Sequence, residues 1–146
     1  MLSDWQLSTI ITAQTGPWFT PQTGLDNSLT DQSEDRPNLI GNPRPSHLPR
    51  TQWDDPSAFV ANPIGTFGDA GRDSLLGPGL VNFDFEVSRF FTLFRETKFE
   101  FRVEAFNAFN HTNFGVPDGN LQDSTFGQVL SAAAPRILEL GAKYTF

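Results

Sequence analysis

The chain has 146 residues, a formal net charge of −7 and a pI near 4.6, with 15 Phe against one Tyr, one Met and no Cys. These values describe one domain's worth of polypeptide or a piece of something larger, disfavour a nucleic-acid partner, and leave no disulfide or thiolate metal site. A mean hydropathy of −0.32 without a long apolar run argues against a membrane protein built of helices, but alternating barrel strands cancel in that average.

Residues 1–10, MLSDWQLSTI, contain neither the basic segment nor the apolar core of a secretory signal. The expectation is a chain that stays inside the cell or one whose beginning is missing. Alternation starts at once. Trp5, Leu7, Thr9, Ile11 and Ala13 interleave with Gln6, Ser8, Ile10, Thr12 and Gln14, predicting a strand over about 4–15. Residues 16–79 are rich in Pro, Gly, Asn and Asp and read as one long loop. Its run LDNSLTDQSED groups Asp26, Asp31, Glu34 and Asp35 without the spacing of a calcium loop, so a solvated acidic loop is expected. Its run GTFGDAGRDSLLGPG lacks the GK[ST] ending of a phosphate loop and reads as turns leading into the next strand, where Arg72 and Asp73 could pair.

A second strand is predicted over about 80–94, with Phe83, Phe85 and Val87 between Asn82, Asp84, Glu86 and Ser88. A third is predicted over about 97–109. A helix over TKFEFRVEAFNAFNH competes there, with Glu100 and Glu104 one turn apart. However, Phe99, Phe101, Val103 and Ala105 would be smeared around a helix and share one side of a strand. Only a few residues around FRET, Phe94 to Thr97, separate these two strands. Odd-numbered residues are apolar on both, so odd must face odd, which restricts the turn to three or five residues. Another long stretch, from HTNFGVPDGNLQDSTFG onwards, leads to a last strand over about 135–146. There Leu138, Leu140, Ala142, Tyr144 and Phe146 alternate up to the carboxylate.

These strands have the length of spanning strands, roughly 9–11 residues, rather than the roughly 5–6 usual in soluble sheets. The expected fold is all-β, an antiparallel meander of about four long transmembrane strands with long irregular extracellular loops. The connections run long, short, long, which is the alternation of outer-membrane barrels. The odd Phe/Val face would then meet lipid, and Asp84, Glu86, Glu100, Arg102 and Glu104 would line the interior as a cross-strand charge ladder. Arg89 breaks the pattern and calls for either a snorkelling stem or a bulge. Trp5, Phe90, Phe91, Phe94, Tyr144 and Phe146 would form interfacial girdles. His47 and His111 stand alone, and no triad or paired carboxylates emerge. No catalysis, cofactor or metal is expected.

The terminal ELGAKYTF resembles the C-terminal targeting signal of outer-membrane barrels, carried here by Glu139, Gly141, Tyr144 and Phe146. The resemblance extends over nearly the whole chain. WQLSTIITAQTGPWFTP, RPNLIGNP, DPSAFVANPIGTFGDAGRDSLLGPGLVNFDFEVSRFF and FEFRVEAFNAFNHTNFGVP, with FGQVLSAAAPRILELGAKYTF, resemble the C-terminal segment of Oar-like TonB-dependent receptors. That resemblance implies the closing part of a large gated barrel in the outer membrane of a Gram-negative bacterium. It also implies as partners outer-membrane lipid, the barrel-assembly machinery, the TonB system through a missing N-terminal part, and an unidentified solute. Plugged transporter barrels have roughly 22 strands, so four strands read as a tail. Two rivals stand beside this reading: a small outer-membrane protein that closes by oligomerising, and a soluble secreted β-sandwich adhesin or carbohydrate-binding module. The sandwich would need more and shorter strands.

Overall fold

Period-2 alternation puts most of the large apolar side chains of a strand on one face, and this chain repeats that pattern four times. The computed structural model describes residues 4–49, 51–92 and 97–146. In chain order its elements are β1 (Trp5–Gln14), β2 (Trp18–Phe19), β3 (Asn38–Leu39), a short 3-10 turn (Pro56–Ala58), β4 (Phe59–Val60), β5 (Leu75–Leu76), β6 (Leu80–Thr92), β7 (Lys98–Phe106) and β8 (Ile137–Thr145). The chain divides into two units: a sheet unit (residues to Gln14, Leu80–Asn113 and Ala133–Phe146) and a loop unit (Thr15–Gly79 and Phe114–Ala132).

The sheet unit is a four-stranded antiparallel sheet in the order β1-β6-β7-β8. Its strands run 10, 13, 9 and 9 residues, long enough to cross a bilayer and longer than a sandwich requires. Through the middle of the sheet, register keeps apolar and charged partners on separate faces. Leu7 pairs with Val87 and Val87 with Val103, and Val103 pairs with Leu140. On the other face Ser8 pairs with Glu86, Glu86 with Glu104, and Glu104 with Glu139. Odd faces odd between β6 and β7, and the last pair, Thr92 with Lys98, leaves residues 93–97 between the strands, the longer of the two lengths parity allows. The turn around Phe94 itself lies outside the described residues.

The boundaries differ from the sequence reading where side chains compete for the backbone. β7 ends at Phe106 rather than running to about residue 109, because Asn107 takes a left-handed φ of 48°. That conformation suits Asn. Its amide donates to the Asp84 carboxylate at 2.9 Å, and its side chain donates to the His111 carbonyl at 2.9 Å. Phe109 then folds back edge-on to Phe83 and Phe85, with ring centroids 5.0 and 5.9 Å away. At the other end β8 stops at Thr145, so Phe146 follows the strand instead of ending it.

The loop unit corrects the expectation of one irregular loop over 16–79. It contains two small antiparallel sheets, β2-β5 and β3-β4. Its core is Ala58, Phe59, Ala70, Leu75 and Phe126, with Phe19 and Leu121 packed against it. Phe59 meets Phe126 edge-on at 5.4 Å. Phe126 belongs to the second long connection, so both connections build one core. Bridges Gln22–Asn120 and Gln52–Gln128 tie them along the backbone. Gly127 makes the junction possible: its φ is 72°, and a β-carbon there would overlap the Asp54 carbonyl. Glycine alone adopts that conformation without steric cost.

Candidate functional site

The sheet offers two faces of opposite chemistry. On the apolar face Leu7, Ile11, Leu138 and Leu140 are exposed, each above 60%. The aromatics Phe91, Phe99 and Tyr144 form a row across β6, β7 and β8 beside the 93–97 connection. Trp5 lies on the same face, opposite Arg89. Pairing is continuous through Arg89, so no bulge occurs there. Its guanidinium instead lies 5.1 Å from the Trp5 ring and 4.7 Å from the Phe91 ring. Cation–π contacts of this kind hold an arginine against aromatic surface. Phe90 departs from the girdle expectation: it pairs with Glu100 and lies on the polar face, while Phe94 lies outside the described residues.

On the polar face the cross-strand charged neighbours include a row of like charge. Glu86, Glu104 and Glu139 are consecutive cross-strand neighbours. Like charges directly opposed destabilise a sheet. The nearest counter-charge is Arg102, whose Nε is 3.7 Å from Glu104 Oε2 along the same strand. Arg102 pairs with Ser88 and Gly141 across the strands. Glu100 faces Lys143, an opposite-charge pair. Asp84 stands apart from that row. It accepts from Asn82 Nδ2 at 2.8 Å and from the Asn107 amide, and so holds the turn that ends β7.

The residues of the terminal signal fall on both faces. Glu139 and Gly141 belong to the polar face, Tyr144 pairs with Phe99 on the apolar face, and Phe146 is 97% exposed beyond the strand. In the described sheet β8 pairs only with β7, and β1 only with β6. Both outer edges therefore carry unpaired backbone donors and acceptors, which template further strands.

The loop unit holds its polar groups in local bonds. Asp26 accepts from the Thr30 and Asp31 amides at 2.9 and 2.8 Å. Asp35 accepts from the Ser28 hydroxyl at 2.7 Å and the Ser28 amide at 2.6 Å, and these bonds hold its carboxyl below the usual carboxylate range. The Asp55 carboxyl is lowered in the same way by the Ser57 hydroxyl and amide. Asp54 is fully buried, and burial pushes its carboxyl up against the opposing pull of Arg44, whose Nε lies 2.8 Å from Oδ1. Arg44 and Trp53 both donate to the Leu76 carbonyl. In place of an Arg72–Asp73 pair, Thr20 accepts from the Asp73 amide at 2.8 Å and donates to its carboxylate at 3.1 Å. Among the described residues no group of three or more His, Cys, Asp or Glu is placed to hold a metal. His111 Nδ1 lies 3.0 Å from Asn113 Oδ1 in the turn after β7.

Sequence reasoning missed a polar cleft of about 500 Å3 in the loop unit, formed where Thr20, Arg36 and the Phe67–Asp73 segment meet. No sequence signal marked it, because its walls come from three separated segments with no spacing motif. No helix of the described structure is long and apolar enough to cross a membrane, a statement that leaves strands untouched.

Residues 1–139 match a family model described as an outer membrane beta barrel domain. No curated protein and no solved structure matches the chain.

Proposed function

The chain belongs to the outer membrane beta barrel domain family, and from that premise we propose that it is the closing wall segment of an Oar-like TonB-dependent transporter. An all-β segment of an outer-membrane barrel is the established part. The transport activity, the energy coupling and the absence of catalysis are our reading. One observation supports it above the others: four strands of spanning length share a single register that puts an apolar face on one side and a carboxylate-rich face on the other, with both edges open. A spanning sheet cannot leave edges open to lipid. Further strands must therefore close the wall.

In this reading the 93–97 connection is periplasmic and the two long connections are extracellular. Outer-membrane lipid meets the Leu7–Val87–Val103–Leu140 side. A charge on that side costs about 2–4 kcal/mol at the midplane, which fits the confinement of Glu86, Glu100, Arg102 and Glu104 to the other. The barrel-assembly machinery reads Glu139, Gly141, Tyr144 and Phe146 by pairing with the open edge of β8. The TonB system acts through a part of the protein outside this chain, and a bulky solute is the cargo.

The test is an immunoblot of fractionated source cells with an antibody against the GNLQDSTFG segment, followed by capture on immobilised TonB periplasmic domain. The expected result is an outer-membrane band several times larger than 16.2 kDa that TonB retains. A band of 16.2 kDa in the soluble fraction, or a large band that TonB does not retain, would overturn the transporter reading.

A further inference from the structure

We propose that the cleft of the loop unit is a binding site for a neutral oligosaccharide. The inference rests on the loop unit alone and holds whether or not the barrel transports anything. The cleft has a volume of about 500 Å3, within the roughly 300–1,000 Å3 of small-ligand sites.

Its walls are fixed before any ligand arrives. On one side Thr20 and Asp73 exchange two hydrogen bonds. On the other, Arg36 Nη1 donates to the Ala70 carbonyl at 2.7 Å. Between them Gly68 packs so closely on the Arg36 backbone that even a methyl group would overlap the Arg36 carbonyl. Preorganised walls lower the entropy cost of binding.

The groups left over define the ligand. The side chains of Gln22, Gln32, Glu34 and Arg72 line the cleft and have no hydrogen-bond or ion-pair partner among the described residues. They supply donors and acceptors in one place: two amides, a carboxylate and a guanidinium. A strongly anionic ligand would meet Glu34, Asp35 and Asp73, and a cationic one would meet Arg36 and Arg72. An apolar ligand would strip water from all of them without replacing the hydrogen bonds. A neutral molecule dense in hydroxyls satisfies both donors and acceptors. Phe67 completes the chemistry, since it stands at the cleft 73% exposed and offers an aromatic face of the size of a sugar ring's C–H face.

The experiment uses the full-length protein in detergent micelles and fluorescence anisotropy of labelled maltohexaose, cellohexaose, xylohexaose and chitohexaose. At least one is expected to bind saturably. Phe67→Ala and Arg72→Ala are each expected to weaken that binding at least tenfold. Ile64→Ala, an exposed apolar residue outside the cleft lining, is expected to leave it unchanged. All three side chains are exposed, so the urea midpoint of each variant should equal that of the parent. Saturable binding of none of the four sugars, or sugar binding that survives both cleft substitutions, would overturn the proposal. So would labelled triglycine binding with the same two losses while the sugars do not bind, because the cleft would then be a peptide site.

Discussion

At the scale of single residues the loop unit sets two carboxyls against each other. Asp35 is held low by the Ser28 hydroxyl and amide, so its unfolded form takes up a proton more readily than its folded form. Its contribution to stability is therefore present above the ordinary carboxylate value, about pH 4, and is lost as pH falls through the lower folded value. Asp54 is raised by burial and has the opposite sign: its contribution is present at low pH and is lost as pH rises through the folded value. Replacing Asp35 with Asn should therefore lower stability at pH 7 and flatten its decline as pH falls below about 4. Urea midpoints followed by Trp53 fluorescence, in a background with Trp5 and Trp18 changed to Phe, check this. An unchanged acid decline in the variant would show that the Ser28 bonds do not set the slope.

Individual strands obey a simpler rule, and they are the most legible part of the sequence. Alternation alone identifies β1, β6, β7 and β8, because every second side chain must share a solvent whatever that solvent is. Parity narrows the pairing of β6 with β7 to two registers before any geometry. What alternation cannot supply is where each strand stops. β7 ends at Phe106 because the Asn107 amide donates to the Asp84 carboxylate on neighbouring β6, a partnership invisible in a linear reading. Nor can it foresee that Glu86, Glu104 and Glu139 fall in one row, since offset between strands depends on the length of the connections. The faces lead to a direct comparison. Val103→Arg, at the centre of the apolar face, should cost about 2–4 kcal/mol when unfolding is measured in lipid vesicles. Ser8→Arg on the polar face, beside Glu86, should cost less than about 1 kcal/mol. Equal costs at the two positions would mean that neither face is in lipid.

For the molecule as a whole, the loop unit is where sequence reading falls short. Phe19, Ala58, Phe59, Ala70, Leu75, Leu121 and Phe126 have no common period, so nothing in their spacing announces a core. Pro and Gly in a sequence signal irregularity, whereas here they let short segments cross closely enough to pack. The cleft is hidden for the same reason. This unit should resist proteolysis. Chymotrypsin is expected to cut after Phe59 and Phe126 at least ten times more slowly in the folded protein than in urea, since both rings are buried against each other in the shared core. Fragment masses over a time course read this directly, and prompt cleavage at both sites would show that the connections are not held together.

The sharing of one core by two distant connections also has a chronology. Phe59 is made and delivered long before Phe126, and everything from β6 through β7 comes between them. Contacts of such separation form late, after the intervening chain has been ordered. The first connection thus waits, unfinished, while two spanning strands are made and delivered. A chain cut short before Phe126 would keep β1, β6 and β7 and still lack a finished loop unit, so completion of that unit records that synthesis and delivery have passed Phe126.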